Sequence, residues 1–409
     1  MTSLRAPSIA VAGGVYQERC MRPQWQEVFG SAGRAASAIA SMGVDVDLHS
    51  YLDAATKDVA ESRGALNGIR VHSTPIEKAI SFEYRHTLEE PRIYGRREQH
   101  STLQVTADRI VRFGMLEGDA EVHGDRVVYD PQNAEDPQPF HTNGSTARQL
   151  AVILNRNEAG LLSGMPGASV GDMASALLKQ NAAQVVIIKQ GPLGALVHDG
   201  KSIHTVPAYR SERVWKIGSG DNFAAHFAYH WLHEGLNPVL SADMASKATA
   251  YYCQTRGFAT LGSFQSFSPA PIKASAKYAA GYKPTVYLAG PFFTLAQLWI
   301  VEHARADLTA MGLKVFSPYH DVGHGSAEDV VLQDLKGIDE ADMVFAIADG
   351  LDSGTIYEIG YARAKGKPVM MYCENESAED KKMMQGSECA ICNDYVSAVY
   401  QALWMAIAL

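Results

Sequence analysis

The sequence predicts an α/β protein of two domains, each built on a largely parallel sheet. Strand-like apolar runs alternate with helix-like stretches along the chain, which is typical of such sheets. A segment rich in Ser, Ala and Pro without an apolar period, residues 263–284, separates two such patterns and reads as a linker. The 409 residues also suit two or three domains of ~100–200 residues. We therefore predict domains at 1–280 and 284–409.

The elements of the first domain follow from its apolar spacing. A short strand opens it, and a helix rich in small residues starts at Gly30 and ends near Gly43. Short alternating runs between residues 80 and 129 predict an antiparallel flap over a site. The predicted strands are 8–12, 151–154, 185–189 and 195–198, and a second helix is predicted at 221–234.

The second domain repeats a regular β/α alternation. Strands and helices of ordinary length follow one another from residue 285 onward, as in a parallel sheet with crossover helices. The predicted strands are 285–289, 314–316, 343–348 and 368–372, and the predicted helices are 295–311, 327–338 and 355–365.

Composition excludes several classes of protein. Hydrophobic residues make up 46% and charged residues 20%, so the chain has enough apolar surface for large cores. No apolar run approaches the ~18 residues that cross a bilayer, and the first residues lack a signal-peptide layout, so we expect a cytoplasmic protein.

Charge and cysteine content limit the classes of ligand and metal site that we expect. The net charge is −9, and residues 284–409 hold 18 Asp and Glu against 8 Lys and Arg. This acidity opposes nucleic acid and anionic membranes, and it favours a small neutral or weakly charged ligand. Cys389 and Cys392 have CxxC spacing without a second pair, and His320 and His324 lie in a Gly- and Pro-containing loop, so we expect no structural metal.

The first candidate site is Gly218-Ser219-Gly220-Asp221, directly before the predicted helix 221–234. Small residues let backbone N–H groups converge on an anion at a helix N-terminus. An adjacent Asp can accept a proton from a hydroxyl while those groups stabilise a phosphoryl group. The alternative is an ordinary first-turn acid on a glycine-capped helix.

Four segments together resemble the ribokinase-like (PfkB-type) carbohydrate and nucleoside kinases. They are, in the family's order, FGSAGRAA from Phe29, NRNE from Asn155, VIIKQGPLGAL from Val186 and the segment around GSGD. The resemblance implies a ribokinase-like fold that uses ATP and Mg²⁺. It implies Asp221 as general base and Gly218, Ser219 and Gly220 as anion hole, with Asn155 and Glu158 linked to magnesium. The glycine-rich segment, with Gly30, Gly33 and Arg34, would bind substrate.

Three positions depart from that family. Trp215-Lys216 stands where Asp-Thr is usual, Arg34 replaces an Asn, and Lys189 replaces a Thr. These substitutions motivate an alternative in which the first domain binds a nucleotide and has lost catalysis.

The second candidate site holds Asp334, Asp352 and Glu358. Asp352 and Glu358 flank a glycine turn after an apolar strand, at the strand end where α/β sheets bind ligands. Tyr287, Phe292 and Phe293 surround the Gly290-Pro291 turn and offer aromatic faces to a planar base or sugar. The alternative is a capping box, in which Glu358 reaches back to the Thr355 backbone N–H.

These residues resemble the nucleoside 2-deoxyribosyltransferase family. Its Y-x-x-G-x-F-like opening, its D-L-x-G-I helix end and its D-x-G-x-x-x-E-(I/L)-G-Y-A segment occur in order, the last from Asp352 through Gly354 to Ala362. The resemblance implies a flavodoxin- or Rossmann-like sheet without a cofactor, and at least a dimer. It implies Glu358 as nucleophile, Asp334 on the nucleobase and Asp352 on the 5′ side of the sugar.

The sequence thus predicts a fused enzyme acting on small nucleoside, nucleobase or sugar substrates. Glu358 would cleave or exchange an N-glycosidic bond, beside an ATP-dependent kinase-like domain. The alternative is a hydrolase of nucleosides, nucleotides or a nicotinamide dinucleotide, whose first domain is an inactive regulatory module.

Overall fold

The computed structural model describes residues 8–95, 99–323 and 325–409. It divides the chain into two compact units, Met1–Pro271 and Ile272–Leu409, whose border lies inside the segment 263–284. His324 lies outside the described residues. Over the part of the chain that the structure describes, no helix is both long enough and apolar enough to span a bilayer.

The first unit is built on a nine-stranded sheet in the order β13-β12-β11-β10-β9-β8-β1-β4-β5. Pairing is parallel from β5 to β11 and antiparallel for the last two strands. The strands of this unit are β1 Ile9–Ala12, β2 Gln17–Arg22, β3 Trp25–Val28, β4 Val46–Leu52, β5 Ile69–Pro75, β6 Ser81–His86, β7 Arg92–Tyr94, β8 Leu103–Phe113, β9 Ala120–Asp130, β10 Thr146–Asn155, β11 Val185–Lys189, β12 Ala195–His198 and β13 Ile203–Val206.

Helices cover both faces of this sheet. The apolar residues of α1, α5 and α6 pack on one face, and those of α3 and α4 pack on the other. Because strand side chains alternate between faces, both faces of the sheet bury apolar residues against helices. The ends of the strands lie at the edges of the sheet. The helices are α1 Gly30–Ser41, α2 Ala54–Asn67, α3 Arg156–Ser163, α4 Val170–Gln180, α5 Ser219–Ala228, α6 Pro238–Thr255 and α7 Leu261–Ser266, with a π-helical turn, Tyr229–His233, after α5.

A separate four-stranded sheet, in the order β3-β2-β6-β7, forms the flap. The flap predicted between residues 80 and 129 is right only for β6 and β7. The later part, β8 and β9, belongs to the central sheet, because both strands pair with a neighbour on each side and their last four residues are buried.

The second unit is an all-parallel five-stranded sheet in the order β15-β14-β16-β17-β18. Its strands are β14 Thr285–Ala289, β15 Lys314–Phe316, β16 Met343–Ile347, β17 Val369–Tyr372 and β18 Ala390–Cys392. Its helices are α8 Ala276–Ala279, α9 Leu295–Ala310, α10 Ala327–Glu340, α11 Ser353–Ala364, α12 Lys382–Gly386 and α13 Tyr395–Ala408. The predicted fold class, α/β with a smaller parallel-sheet second domain, is confirmed.

The segment predicted as a linker contains two short helical pieces, α7 and α8. Their side-chain caps account for them: Thr260 Oγ1 accepts from the Ser263 N–H, and Ser275 Oγ accepts from the Tyr278 N–H. Such caps satisfy backbone donors without an apolar period, so periodicity did not reveal these helices.

Candidate active sites

In the second unit, Tyr287 and Glu358 meet at the carboxyl end of the sheet. Tyr287 lies in β14, and Glu358 lies in α11, which follows the neighbouring strand β16. The Tyr287 hydroxyl donates a hydrogen bond of 2.5 Å to Glu358 Oε1. Strand order therefore brings together two residues that are 71 positions apart.

The capping-box alternative for Glu358 is wrong. Asp352 caps α11 instead, because its Oδ2 accepts from the Thr355 backbone N–H at 3.0 Å and from the Thr355 hydroxyl at 3.2 Å. Within the described residues, Asp352 Oδ1 accepts no hydrogen bond from the protein. The Glu358 carboxylate is therefore not needed to begin its own helix.

Burial tunes the carboxylates of this site. Burial raises the pKa of Glu358 to about 7, although the Tyr287 hydrogen bond opposes the rise and the charges of Asp334 and Asp352 add to it. Burial also raises the pKa of Asp334. Asp334 Oδ1 is buried without a hydrogen-bond partner among the described residues. The site thus pairs a carboxylate whose pKa lies near neutrality, Glu358, with a second carboxylate, Asp334, whose pKa is also raised by burial.

The aromatic residues around the Gly290 turn play different parts. The Tyr287 ring is fully buried and stacks on Phe316 at 5.5 Å between ring centres, so Tyr287 reaches the site through its hydroxyl. Phe292 contacts Phe293 and Tyr319, with ring centres 5.2 Å apart in both pairs. Phe293 is 71% exposed and offers an open aromatic face.

The glycines of this site lie close to its walls. A Cβ at Gly290 would lie 3.1 Å from Ile347 Cβ, and one at Gly354 would lie 3.1 Å from Asp352 Oδ2. Gly354 thus keeps the cap of α11 unobstructed, and Gly290 lets the β14 loop pack closely on β16.

In the first unit, Gly218 turns the chain into α5 beside a buried arginine. Gly218 has φ +72°, and a Cβ there would lie 2.0 Å from Arg34 Nε, so only glycine fits. Ser219 and Gly220 follow in the first turn of α5. Arg34 comes from α1, whose first residue Gly30 has φ +60° and would set a Cβ 2.5 Å from the Gly14 carbonyl oxygen. Gly33 packs on Val15.

Both carboxylate oxygens of Asp221 are engaged. Arg34 Nη1 donates to Asp221 Oδ2 at 2.7 Å, and Gln132 Nε2 donates to Oδ1 at 2.5 Å. The fully buried Arg34 guanidinium also bonds Glu18, the Tyr252 hydroxyl and the Gly30 carbonyl. The Arg34 side chain therefore links α1, the flap strand β2 and α5. Most of its N–H donors form hydrogen bonds within the protein.

Asn155 and Glu158, the two residues implied for magnesium, bond each other. The Glu158 N–H donates to Asn155 Oδ1 at 2.9 Å, and the Asn155 N–H donates to Glu158 Oε2 at 2.8 Å, which is a capping box at the start of α3. Burial, with the nearby charge of Asp130, raises the pKa of Glu158 to about 7. Asp130 in turn accepts from Lys189 Nζ at 2.6 Å.

No cluster of three acidic, His or Cys side chains able to hold a metal ion occurs within residues 8–95, 99–323 and 325–409. Asn155 Oδ1 and Glu158 Oε2, the oxygens implied for magnesium, are thus engaged in the cap of α3.

Four residues of the first site escaped the sequence analysis: Glu18, Asp130, Gln132 and Tyr252. Asp130 carries a signal, because it ends the apolar run Val127-Val128-Tyr129 as ligand residues do at strand ends. Glu18 and Tyr252 carry none, since both meet Arg34 across long sequence distances.

Two protein-family models match the chain. The pfkB family carbohydrate kinase model matches residues 120–262, and the nucleoside 2-deoxyribosyltransferase model matches residues 286–389. The first match contains the GSGD turn and NRNE but not the segment of Gly30, Gly33 and Arg34. The second contains Tyr287, Asp334, Asp352 and Glu358. No curated protein sequence is significantly similar to the chain.

Solved structures of low identity are similar to the chain over about two thirds of its length. They include ribokinase from Thermotoga maritima (16% identity, 64% of this chain and 99% of that chain, TM-score 0.47) and fructokinase from Vibrio cholerae O395 (12%, 64% and 99%, 0.49). A nucleoside kinase from Methanocaldococcus jannaschii is another (11%, 63% and 97%, 0.49). By its family matches, the chain is similar to pfkB family carbohydrate kinases over residues 120–262 and to nucleoside 2-deoxyribosyltransferases over residues 286–389.

Proposed function

We propose that the second unit cleaves the N-glycosidic bond of deoxynucleosides with Glu358 as nucleophile. The observation that carries this proposal is the partner of Glu358: its carboxylate accepts from the Tyr287 hydroxyl, while Asp352 caps the helix. Glu358 is buried, does not cap its helix and accepts a hydrogen bond from Tyr287, and such a glutamate suits covalent catalysis. The family match over residues 286–389 supports the substrate class.

The proposed first step breaks the glycosidic bond. Glu358 Oε2 attacks C1′ of the deoxyribose, and the bonding electrons leave with the nucleobase. Tyr287 holds Oε1, which orients the carboxylate and leaves the other oxygen for attack. Asp334 donates a proton to the departing base, a task for which its raised pKa prepares it. Asp352 Oδ1 accepts from the 5′ hydroxyl of the sugar.

The proposed second step resolves the deoxyribosyl ester. A nitrogen of an incoming nucleobase attacks C1′, the Glu358 carboxylate leaves, and the proton of the incoming base returns to Asp334. Water can attack the same carbon, which would make the reaction a hydrolysis. Nucleoside hydrolysis, or hydrolysis of a nucleotide or nicotinamide dinucleotide, is thus the alternative for this unit.

Chromatography of a deoxynucleoside with and without a second base separates these outcomes. Exchange predicts a new deoxynucleoside in the presence of the acceptor, and hydrolysis predicts free deoxyribose at the same rate with or without it. Glu358→Gln should lower either rate at least ~10³-fold, since the residue forms the covalent bond. A substrate left intact by the unaltered chain under both conditions contradicts the proposal.

For the first unit, we propose an ATP-binding domain of the pfkB type, in which the anion hole of Gly218, Ser219 and Gly220 receives phosphate. Phosphoryl transfer to a sugar or nucleoside would use Asp221 as general base. The contacts of Asp221 favour the second candidate, a nucleotide-binding regulatory module, because both of its oxygens accept hydrogen bonds within the protein.

Product analysis with ATP and a panel of sugars and nucleosides tests these two candidates. Phosphorylated product that disappears in Asp221→Asn supports the kinase. ATP binding by calorimetry without product supports the regulatory module. The absence of ATP binding contradicts both.

A further inference from the structure

We propose that the Lys189 ammonium takes the place of a divalent cation at the phosphate site of the first unit, so that this unit binds a nucleotide without metal. The inference rests on the proposed nucleotide-binding function of that unit. It departs from the expectation that Asn155 and Glu158 act through magnesium.

The central sheet brings the relevant side chains together. Strands β9, β10 and β11 are parallel neighbours, and Asp130, Asn155 and Lys189 are their last residues. Asn155 and Lys189 lie side by side in register. The carboxyl ends of three adjacent strands therefore form one edge, which is where open α/β sheets bind ligands.

The Lys189 ammonium is fixed at this edge. Its Nζ lies 2.6 Å from Oδ2 of the fully buried Asp130. A Cβ built on Gly220 would lie 3.4 Å from the same Nζ, so the ammonium lies against the turn that opens α5. A phosphate bound at that turn would lie beside the ammonium, which has three donors and uses one on Asp130.

Each carboxylate around Lys189 already has a partner within the protein, although Asp130 Oδ1 is buried without a hydrogen bond among the described residues. Asp130 pairs with Lys189, Glu158 closes the capping box with Asn155, and Asp221 is held by Arg34. Mg²⁺ keeps several of its waters and is usually held by one or two carboxylates together with substrate phosphates. A divalent cation at this edge would lie beside a fixed ammonium, and like charges at contact oppose its binding. Lys189 thus supplies a positive charge as part of the chain.

Manganese binding followed by electron paramagnetic resonance tests the assignment directly. We compare the full chain with Lys189→Met and with Lys201→Met, a control at an exposed lysine. We expect the unaltered chain and the control to leave added Mn²⁺ free. Lys189→Met, which releases the Asp130 carboxylate, should bind one Mn²⁺ per chain at least tenfold more tightly. The double variant Lys189→Met/Asp130→Asn should lose that binding again, which places the ion at this edge.

Two Mn²⁺ results overturn the proposal. One is an unaltered chain that binds Mn²⁺ as tightly as Lys189→Met does. The other is a folded Lys189→Met chain, judged by circular dichroism, that binds none. The double variant restores charge balance and therefore checks folding where the single variant is unstable.

Calorimetry with ATP tests the nucleotide half of the proposal. The unaltered chain should bind ATP in EDTA within threefold of its affinity in Mg²⁺. Lys189→Met should bind at least tenfold more weakly in EDTA and recover in Mg²⁺. ATP binding by the unaltered chain that requires Mg²⁺ overturns the proposal. If no variant binds ATP, the proposed function of the unit fails, while the Mn²⁺ comparison still decides the assignment of Lys189.

Discussion

The two candidate catalytic carboxylates, Glu358 and Asp221, differ in how their oxygens are bonded within the protein. Among the residues that the structure describes, Glu358 accepts one hydrogen bond, from Tyr287, and its second oxygen is not committed to the helix start. Asp221 is bonded through both oxygens, one of them to a buried guanidinium. A catalytic carboxylate must present a lone pair to its target, and the two units differ in whether this carboxylate has an oxygen left for that task.

The pKa of Glu358 predicts the pH dependence of the second unit. Because the folded-state pKa is raised to about 7, the carboxylate is protonated and no longer nucleophilic below that pH. We expect kcat/KM for deoxynucleoside cleavage to fall about tenfold per pH unit below about 7. A rate that is flat between pH 5 and 8 contradicts this assignment.

Tyr287→Phe should move that pH profile upward. The hydroxyl stabilises the charged carboxylate, and a hydrogen bond to a charged group is worth ~1.5–3 kcal/mol, which corresponds to at least one pKa unit. We expect the acid limb to shift to higher pH and the rate at pH 7 to fall about tenfold. Tyr361→Phe is the matched control. Tyr361 lies on α11, and its hydroxyl donates to Asp339 of α10, so this variant should leave the pH profile unchanged.

At the scale of elements, Asp352 has a structural task and a proposed ligand task. Its Oδ2 caps α11, and loss of such a cap costs about 1 kcal/mol. Asp394 caps α13 in the same way through the Ser397 N–H. We expect Asp352→Ala and Asp394→Ala to lose similar stability in urea denaturation, whereas only Asp352→Ala should raise KM for a deoxynucleoside. Equal kinetics in the two variants would show that Asp352 only caps the helix.

Element prediction succeeded where apolar spacing and local caps coincide. The strands at 285–289 and 314–316 match β14 and β15, and the helix predicted at 295–311 ends one residue later than α9. The flap was only partly predicted, because β2 and β3 are short, partly exposed strands and the pairing of β2 with β6 is set at long range. Local sequence carries no record of such pairings.

At the scale of the whole molecule, each unit has its own apolar core. A ligand that binds one folded unit stabilises that unit by mass action. We expect calorimetry of the full chain to show two thermal transitions, one raised by a deoxynucleoside and the other by ATP. Glu358→Gln should keep both transitions. A single transition raised by either ligand contradicts separate units.

Whether a site residue could be predicted from the sequence depends on how close its partners are along the chain. Glu358, Asp334 and Asp352 belong to ordered local motifs, so the sequence alone could predict them as candidates. The hydrogen bonds of Arg34 to Glu18, Asp221 and Tyr252 join residues up to 218 positions apart, so they could be seen only in the fold. The capping-box alternative for Glu358 was locally plausible and was decided only by the competing cap at Asp352.

Mass spectrometry of the chain quenched during turnover of a deoxynucleoside tests the central claim most directly. The account predicts a deoxyribosyl group on the peptide that contains Glu358, absent from Glu358→Gln. Release of nucleobase at an undiminished rate by Glu358→Gln, with no sugar on that peptide in the unaltered chain, would contradict the account.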